Sequence, residues 1–190
     1  MNNTINTDNE IKNINFSIDG FAEKEFENVH FISCNFHEAD ASNIDFIDCV
    51  FEDCNLSLMV TKNTGFKNTN FINSKLTGIN FSVCNSFLFQ VSFSGCDLKL
   101  VNFEKIKLTE TLFENCDLTE SYFAETNIEK SVFENCNFDL AVFYYANLKG
   151  SDFSTSYNFI INPDENSIKN AKFSLNGLPG LLANFGIKIV

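Results

Sequence analysis

The segment Phe113-Glu-Asn-Cys-Asp-Leu118 recurs twenty residues later as Phe133-Glu-Asn-Cys-Asn-Phe138. Looser copies of the same segment lie upstream and begin at Phe31, Phe51, Phe71 and Phe93. Successive copies are 20, 20, 22, 20 and 20 residues apart. A fixed period of this length is typical of a solenoid, in which each coil buries its apolar side chains against the next coil.

A shorter period lies inside each copy, because a large apolar residue stands at every fifth position. These positions carry Phe, Leu or Ile from Phe16 to Phe81 and again from Leu88 to Phe153. The exceptions are Ala41 and Thr61, and a two-residue insertion around Cys84-Asn85 separates the two runs. Neither the helical period nor the alternation of a strand produces a five-residue step. The pattern therefore predicts a coil that repeats every four steps.

The two residues before each large apolar residue follow a rule of their own. The first is small or β-branched and the second is often Asn or Asp, as in Ala146-Asn-Leu148 and Ser151-Asp-Phe153. This pattern resembles the pentapeptide-repeat family. The resemblance implies an all-β solenoid, namely a right-handed quadrilateral β-helix of about seven coils, in which the small and the large residues point inward.

Three segments are expected along the chain: a polar N-terminal segment or cap at 1–15, the β-helix at 16–155, and a C-terminal cap at 156–190. A capping α-helix is predicted from Leu175 to Phe185, with Ser174 as its N-cap and Gly186 as its C-cap. Pro179 indicates that the regular helix starts near Leu178. A short terminal strand is predicted at Ile187–Val190.

Composition narrows the classes of partner. The chain has 25 Asp and Glu against 13 Lys, no Arg, and a net charge of −12. Such an acidic protein without Arg is not expected to bind nucleic acid directly. We find neither a secretory signal nor an apolar run long enough for a membrane span, which predicts a cytoplasmic location. The seven cysteines are then expected to be reduced thiols.

No catalytic or metal-binding motif stands out. The cysteines alternate with Ser, Thr and Ala at the same inward repeat position, which is typical of small buried fillers and not of metal ligands. His30 and His37 fall at outward positions without a nucleophile placed beside them by spacing. The sequence predicts no enzyme activity and no cofactor.

The acidic residues admit two interpretations. A solvated face is the simpler one, and the other is a rigid rod whose carboxylates imitate the phosphates of duplex DNA and attract a positively charged protein. Glu114, Glu134 and Glu52 are expected on one face. The full acidic set is Glu52, Asp53, Glu104, Glu110, Glu114, Asp117, Glu125 and Glu134.

The tail carries a second resemblance. Phe173-Ser-Leu175 and Gly177-Leu-Pro-Gly-Leu-Leu182 are similar to the C-terminal segment of the quinolone-resistance (Qnr-type) and mycobacterial MfpA-type pentapeptide proteins. The resemblance implies a homodimer joined through the C-terminal helix, and a DNA mimic that binds a type II topoisomerase (DNA gyrase or topoisomerase IV). It implies either quinolone resistance or inhibition of the enzyme.

The predicted dimer interface combines the apolar stripe of the helix with exposed aromatic residues of the last coils. Its members are Leu178, Leu181, Leu182, Phe185, Tyr144 and Tyr145. One difference stands against the topoisomerase interpretation, because Qnr-type proteins carry two long loops and this sequence has only a two-residue insertion. The alternative function is a structural or protein-interaction scaffold with an unrelated partner.

Overall fold

The computed structural model describes residues 9–188 and shows a parallel β-solenoid of about eight turns. The strands are β1 (Glu10–Lys12), β2 (Glu25–Glu27), β3 (His30–Ile32), β4 (Asp45–Ile47), β5 (Val50–Glu52), β6 (Gly65–Lys67), β7 (Thr69–Ile72), β8 (Val91–Ser94), β9 (Leu112–Glu114), β10 (Val132–Glu134), β11 (Asp152–Phe153) and β12 (Lys172–Phe173). The helical segments are α1 (Phe16–Asp19), α2 (Leu178–Leu182) and the 3-10 turns Phe81–Val83, Leu175–Gly177 and Ala183–Phe185.

Four faces run along the rod, and the chain visits them in a fixed order. Face I is a nine-stranded parallel sheet in the order β1-β3-β5-β7-β8-β9-β10-β11-β12. Faces II and III are held by isolated parallel bridges, such as Asp97 with Asp117 and Tyr122 with Val142. Face IV begins as the sheet β2-β4-β6 and continues as bridges. The predicted four-step coil and the fold class are confirmed.

The core is a set of stacked rings. On face I, the rings of Phe113 and Phe133 have centroids 4.7 Å apart and an interplanar angle of 19°. On face III, Phe103 and Phe123 stack with centroids 5.0 Å apart. These separations approach the spacing between neighbouring strands, so each ring contacts its counterpart one coil away. The five-residue step therefore produces a continuous aromatic column inside the rod.

Most corners between faces contain a residue in the left-handed region, which the sequence analysis did not predict. Most of these residues are Asn, Asp or Gly, such as Asn43, Asp53 and Gly150 with φ of 61°, 52° and 69°. These types tolerate positive φ best. The left-handed residue turns the chain through the corner, and the five-residue period follows from it.

The parallel pairing runs beyond both expected limits of the repeat, 16–155. At the N-terminal end, β1 pairs with β3 in register, with Ile11 opposite Phe31. At the C-terminal end, Ser167 bridges Asn147 and β12 pairs with β11. The rod thus gains a coil over the predicted seven. The part of the expected N-terminal segment before residue 9 lies outside the described residues.

The predicted register across the insertion was wrong. Leu88, expected inside, is 65% exposed and has a φ of 57°, while neighbouring Phe87 is 66% exposed. Phe89 fills the place instead, with its ring 5.9 Å from that of Phe81 and 6.3 Å from that of Phe66. Phe89 is the apolar residue that reaches the core. Phe87 and Leu88 are displaced outward, so the insertion bulges at one corner.

The C-terminal cap is less regular than predicted. Ser174 Oγ accepts a hydrogen bond from the Gly177 N–H, and Gly186 ends the helical segment with a φ of 64°, as expected. The α-helix itself covers only Leu178–Leu182, between two 3-10 turns. The predicted terminal strand is not formed at 187–188, and its last two residues lie outside the described range.

Candidate partner-binding surfaces

Face I brings three of the predicted acidic residues into one column. Strand pairing aligns Glu52 with Ile72, then Ser94, then Glu114 and Glu134. Asp53 stands at the corner directly after Glu52, with a φ of 52°. The expectation that Glu52, Glu114 and Glu134 share a face is met in this structure. We call Glu52, Asp53, Glu114 and Glu134 the acidic column.

The acidic column is uninterrupted by lysine. The outward positions of face I from β3 to β11 carry no Lys, and the flanking lysines are Lys12 at the start and Lys172 at the end. Lys12 Nζ lies 2.6 Å from Glu10 Oε2, and Lys172 Nζ lies 2.9 Å from Asp152 Oδ2. The negative potential of face I between these ends is therefore opposed by no Lys of the same face.

Two members of the acidic column have defined partners. His30 Nε2 lies 2.8 Å from Glu52 Oε2, and Ser94 Oγ donates to Glu114 Oε2 at 2.9 Å. A hydroxyl donor orients a carboxylate without removing its charge. The hydroxyl of Ser94 therefore fixes the orientation of the Glu114 carboxylate.

The other predicted acids lie on different faces and are paired with lysine. Lys105 Nζ lies 3.0 Å from Glu104 Oε1 and 3.5 Å from Glu125 Oε1, around face III. Lys130 Nζ lies 3.5 Å from Glu110 Oε1, at the corner after face IV. The predicted acidic set therefore does not form one surface, and the lysines reduce the local field on faces III and IV.

Asp117, on face II, is the predicted acid with the densest contacts. Its carboxylate accepts hydrogen bonds from the N–H and hydroxyl of Thr119, and Lys99 Nζ lies 3.1 Å from Oδ2. Partial burial acts to raise the pKa of Asp117, but the bonds from Thr119 and Lys99 outweigh it and hold the pKa below its usual range. This carboxylate contributes to the fold as well as to the surface charge.

The predicted dimer residues of the cap divide between the core and the surface. Leu181 packs against the core, whereas Leu178 and Phe185 are exposed and Leu182 is half-buried. The segment is fixed over the last coil by a hydrogen bond from Ile161 N–H to Gly180 O. An added Cβ at Gly180 would lie against the carbonyl oxygen of Phe159, so only glycine permits this approach. Part of the apolar stripe therefore stays open to a second molecule.

The predicted aromatic members of the interface lie on the side of the rod. Tyr144 and Tyr145 are exposed around face III, and their ring centroids are 4.2 Å apart. A hydrogen bond with Tyr145 raises the pKa of Tyr144. The tilted pair exposes aromatic rings that also carry hydroxyls, and tyrosines of this kind are common in protein interfaces.

The thiols and histidines occupy the places expected for structural residues. Six cysteines are buried and Cys84 is partly buried. Burial raises the pKa of Cys49 to about 11 and that of Cys84 to about 12. Within residues 9–188, no group of His, Cys, Asp or Glu side chains could hold a metal ion. His37 Nδ1 lies 3.0 Å from the carbonyl oxygen of Ser57.

Two surface features were missed by sequence reasoning. Phe87 and Leu88 project from the insertion, beside an open groove of about 810 Å³ whose lining includes Leu88, Gln90 and Lys107. Leucines also stand in left-handed corner positions, at Leu58 and Leu100 for example. The second feature could have been found, because a leucine two residues after an inward residue departs from the polar pattern of the corners.

Sequence similarity assigns this chain to a known family. The family profile described as "Pentapeptide repeat region" matches residues 24–86 and 86–158, more than half of the chain. The chain belongs to the pentapeptide-repeat family. No curated protein sequence matches it significantly.

Solved structures agree with this assignment of the fold. One trypsin-treated variant of QnrB1, a plasmid-mediated fluoroquinolone resistance protein, superposes with a TM-score of 0.65 at 17% identity, covering 95% of this chain and 98% of that one. A second trypsin-treated QnrB1 variant gives 0.64 at 18% identity, with 95% and 96% covered. At this identity the likeness establishes the shared pentapeptide-repeat solenoid. None of the helices within the described residues is long and apolar enough to cross a membrane.

Proposed function

We propose that this pentapeptide-repeat protein is a non-catalytic acidic rod that binds the positively charged DNA-binding surface of a type II topoisomerase, DNA gyrase or topoisomerase IV, in the cytoplasm. The observation that carries the proposal is the acidic column on face I, where the outward positions from β3 to β11 carry no lysine. The similarity in fold to a fluoroquinolone resistance protein gives the enzyme class to test first.

The charge per unit length of the rod has the same sign and order of magnitude as that of duplex DNA. Eight coils at the ordinary strand spacing span about 38 Å. A net charge of −12 over this length corresponds to one negative charge per roughly 3 Å. Duplex DNA carries one per about 1.7 Å. The rod thus reaches about half of the linear charge density of DNA, enough to steer a basic partner towards it.

We further propose an isologous homodimer through Leu178, Leu181, Leu182 and Phe185, extended by Tyr144 and Tyr145. The exposure of Leu178 and Phe185 at the end of the rod supports this arrangement. Such a dimer would place two acidic rods end to end and double the length available to a partner.

The first test is DNA supercoiling by gyrase with and without a fluoroquinolone. The proposal predicts that the protein either inhibits supercoiling or restores it in the presence of the drug. If neither effect occurs at micromolar protein, the alternative function applies, a protein-interaction scaffold with an unrelated partner. That alternative is favoured by the apolar side chains exposed along the rod, such as Leu140 and Phe87.

A further inference from the structure

Three leucines occupy exposed corner positions with a left-handed backbone. Leu58, Leu100 and Leu140 have φ of 58°, 58° and 57°, in the left-handed region. Their side chains are 51%, 54% and 69% exposed. A branched side chain is strained at positive φ, and an exposed leucine leaves apolar surface in water. Most other left-handed positions of the rod carry a polar residue or glycine, and a partner that covers the leucines would explain the departure here.

The three leucines lie on one edge of the rod, the corner between faces II and III. Residues 58, 78, 100, 120 and 140 follow one another in successive coils, so a leucine recurs in every second coil. Three half-exposed residues line the same edge from face III. They are Val60, Tyr122 and Val142. We call these six residues the leucine edge.

The positions between the leucines keep the edge open and acidic. Gly78 lies beneath Leu58, since a Cβ there would come within 2.7 Å of Leu58 Cδ2. Glu120 stands between Leu100 and Leu140, and Asp139 directly precedes Leu140. Lys99 directly precedes Leu100, and its Nζ lies 3.1 Å from Asp117 Oδ2.

The spacing of the leucines along the rod matches the repeat of an α-helix better than that of an extended strand. Two coils correspond to about 9.6 Å along the rod. Seven residues of an α-helix rise about 10.5 Å, so apolar residues at heptad positions meet successive leucines. In an extended strand, residues on one face recur every second residue, about 6.8 Å apart, and would not stay in step. The acidic residues along the edge favour a partner with lysine or arginine beside its apolar stripe.

We propose that the leucine edge is a docking surface for a basic amphipathic α-helix of a partner protein, laid lengthwise along the rod with apolar residues at seven-residue intervals. The distance from Leu58 to Leu140 is four coils, about 19 Å, which a helix of roughly 13 residues spans. This surface is separate from the acidic column on face I, and its test does not depend on any topoisomerase.

The test uses the full chain and a designed, labelled peptide of about 20 residues. The peptide carries leucines at seven-residue intervals and lysines beside them, and its binding is followed by fluorescence anisotropy. The key variant is Leu58→Asn/Leu100→Asn/Leu140→Asn. Because Asn occupies left-handed corners elsewhere, such as Asn43 and Asn63, this variant is expected to fold, which circular dichroism verifies. The matched control is Leu112→Asn/Val132→Asn, at exposed positions of face I.

The proposal predicts that the triple variant binds the peptide at least about tenfold more weakly than the wild type. The face I control and a Glu52→Gln/Glu114→Gln/Glu134→Gln variant should bind within about twofold of the wild type. A peptide of the same composition with leucines at five-residue intervals should bind at least about tenfold more weakly.

Four results would overturn the proposal: no binding of the heptad peptide, equal binding by the triple variant, equal binding of the five-residue peptide, or self-association of the wild type that the triple variant abolishes. The last result would assign the edge to a second copy of this chain.

Discussion

Leu58 reaches over Gly78, one coil further along the rod, so closely that a Cβ at position 78 would come within 2.7 Å of Leu58 Cδ2. Gly78 also has a φ of 73°, which only glycine adopts without strain. Two separate requirements for glycine thus meet at a single corner, one from the backbone and one from the side chain of the neighbouring coil.

Substitution can separate these two requirements. Gly78→Ala should lower the free energy of unfolding by about 1 kcal/mol through its backbone alone. Gly20→Ala is the matched control, because Gly20 has a φ of 66° and open space around its Cβ position. We expect Gly78→Ala to shift the methyl resonances of Leu58 and Gly20→Ala to leave them unchanged. Urea unfolding and methyl NMR measure the two effects, and an unperturbed Leu58 in Gly78→Ala would contradict the contact.

The corrected register at the insertion predicts that Phe→Ala at two nearby positions has very different effects on stability. Phe89→Ala removes a ring that contacts Phe66 and Phe81, and should destabilise the protein by about 2 kcal/mol. Phe87→Ala removes an exposed ring and should change stability by less than about 0.5 kcal/mol. Thermal or urea unfolding of both variants provides the comparison. Equal losses, or a larger loss for Phe87→Ala, would refute this register.

The difference at the insertion shows where sequence reasoning succeeds and fails. The five-residue period predicted the coil and the aromatic column, because burial of one large residue per step leaves a direct trace in the sequence, as at Phe113 and Phe133. The period could not decide between Leu88 and Phe89, since both are apolar and the choice depends on which side chain reaches the cavity beside Phe66 and Phe81.

The surface was harder to predict than the core. The alignment of Glu52 with Glu114 and Glu134 followed from counting coils, but the eight chosen acids proved to lie on four faces. The lysine partners of Glu104 and Glu110 depend on side-chain geometry across coils, which spacing alone does not provide. Left-handed corners were also missed, because the sequence pattern was read only for the inward residue and the two residues before it.

From the exposed apolar residues of the C-terminal cap, we predict that the chain forms a concentration-dependent dimer. Leu178→Asp/Phe185→Asp places charges in the exposed part of the apolar stripe and should convert the dimer to a monomer in sedimentation velocity experiments. Leu175→Asp is the control, because Leu175 is exposed but outside the proposed interface. A wild-type chain that is monomeric at micromolar concentration would exclude the proposed dimer.

We predict that Asp117 stabilises the folded state and that this stabilisation is lost in acid. Its pKa is lowered in the folded state, so the stabilisation is fully present above the unfolded pKa of about 3.9 and is lost as pH falls through the folded value. Asp117→Asn should therefore flatten the loss of unfolding free energy below pH of about 4. Lys99→Met, which removes the ion pair, should flatten it in part. If the unfolding free energy falls with decreasing pH in the same way in the wild type and in Asp117→Asn, this carboxylate does not contribute to stability.

The most direct test of the acidic rod is its affinity for purified gyrase at low and high salt, measured by surface plasmon resonance with duplex DNA as competitor. The account predicts binding that weakens with salt and is displaced by DNA. Glu52→Gln/Glu114→Gln/Glu134→Gln should reduce affinity at least about tenfold, whereas the control Glu104→Gln/Glu110→Gln/Glu125→Gln, with the same net charge, should reduce it less than about threefold. Equal affinities for the two variants, or no binding by the wild type, would contradict the claim that face I is the surface a topoisomerase recognises.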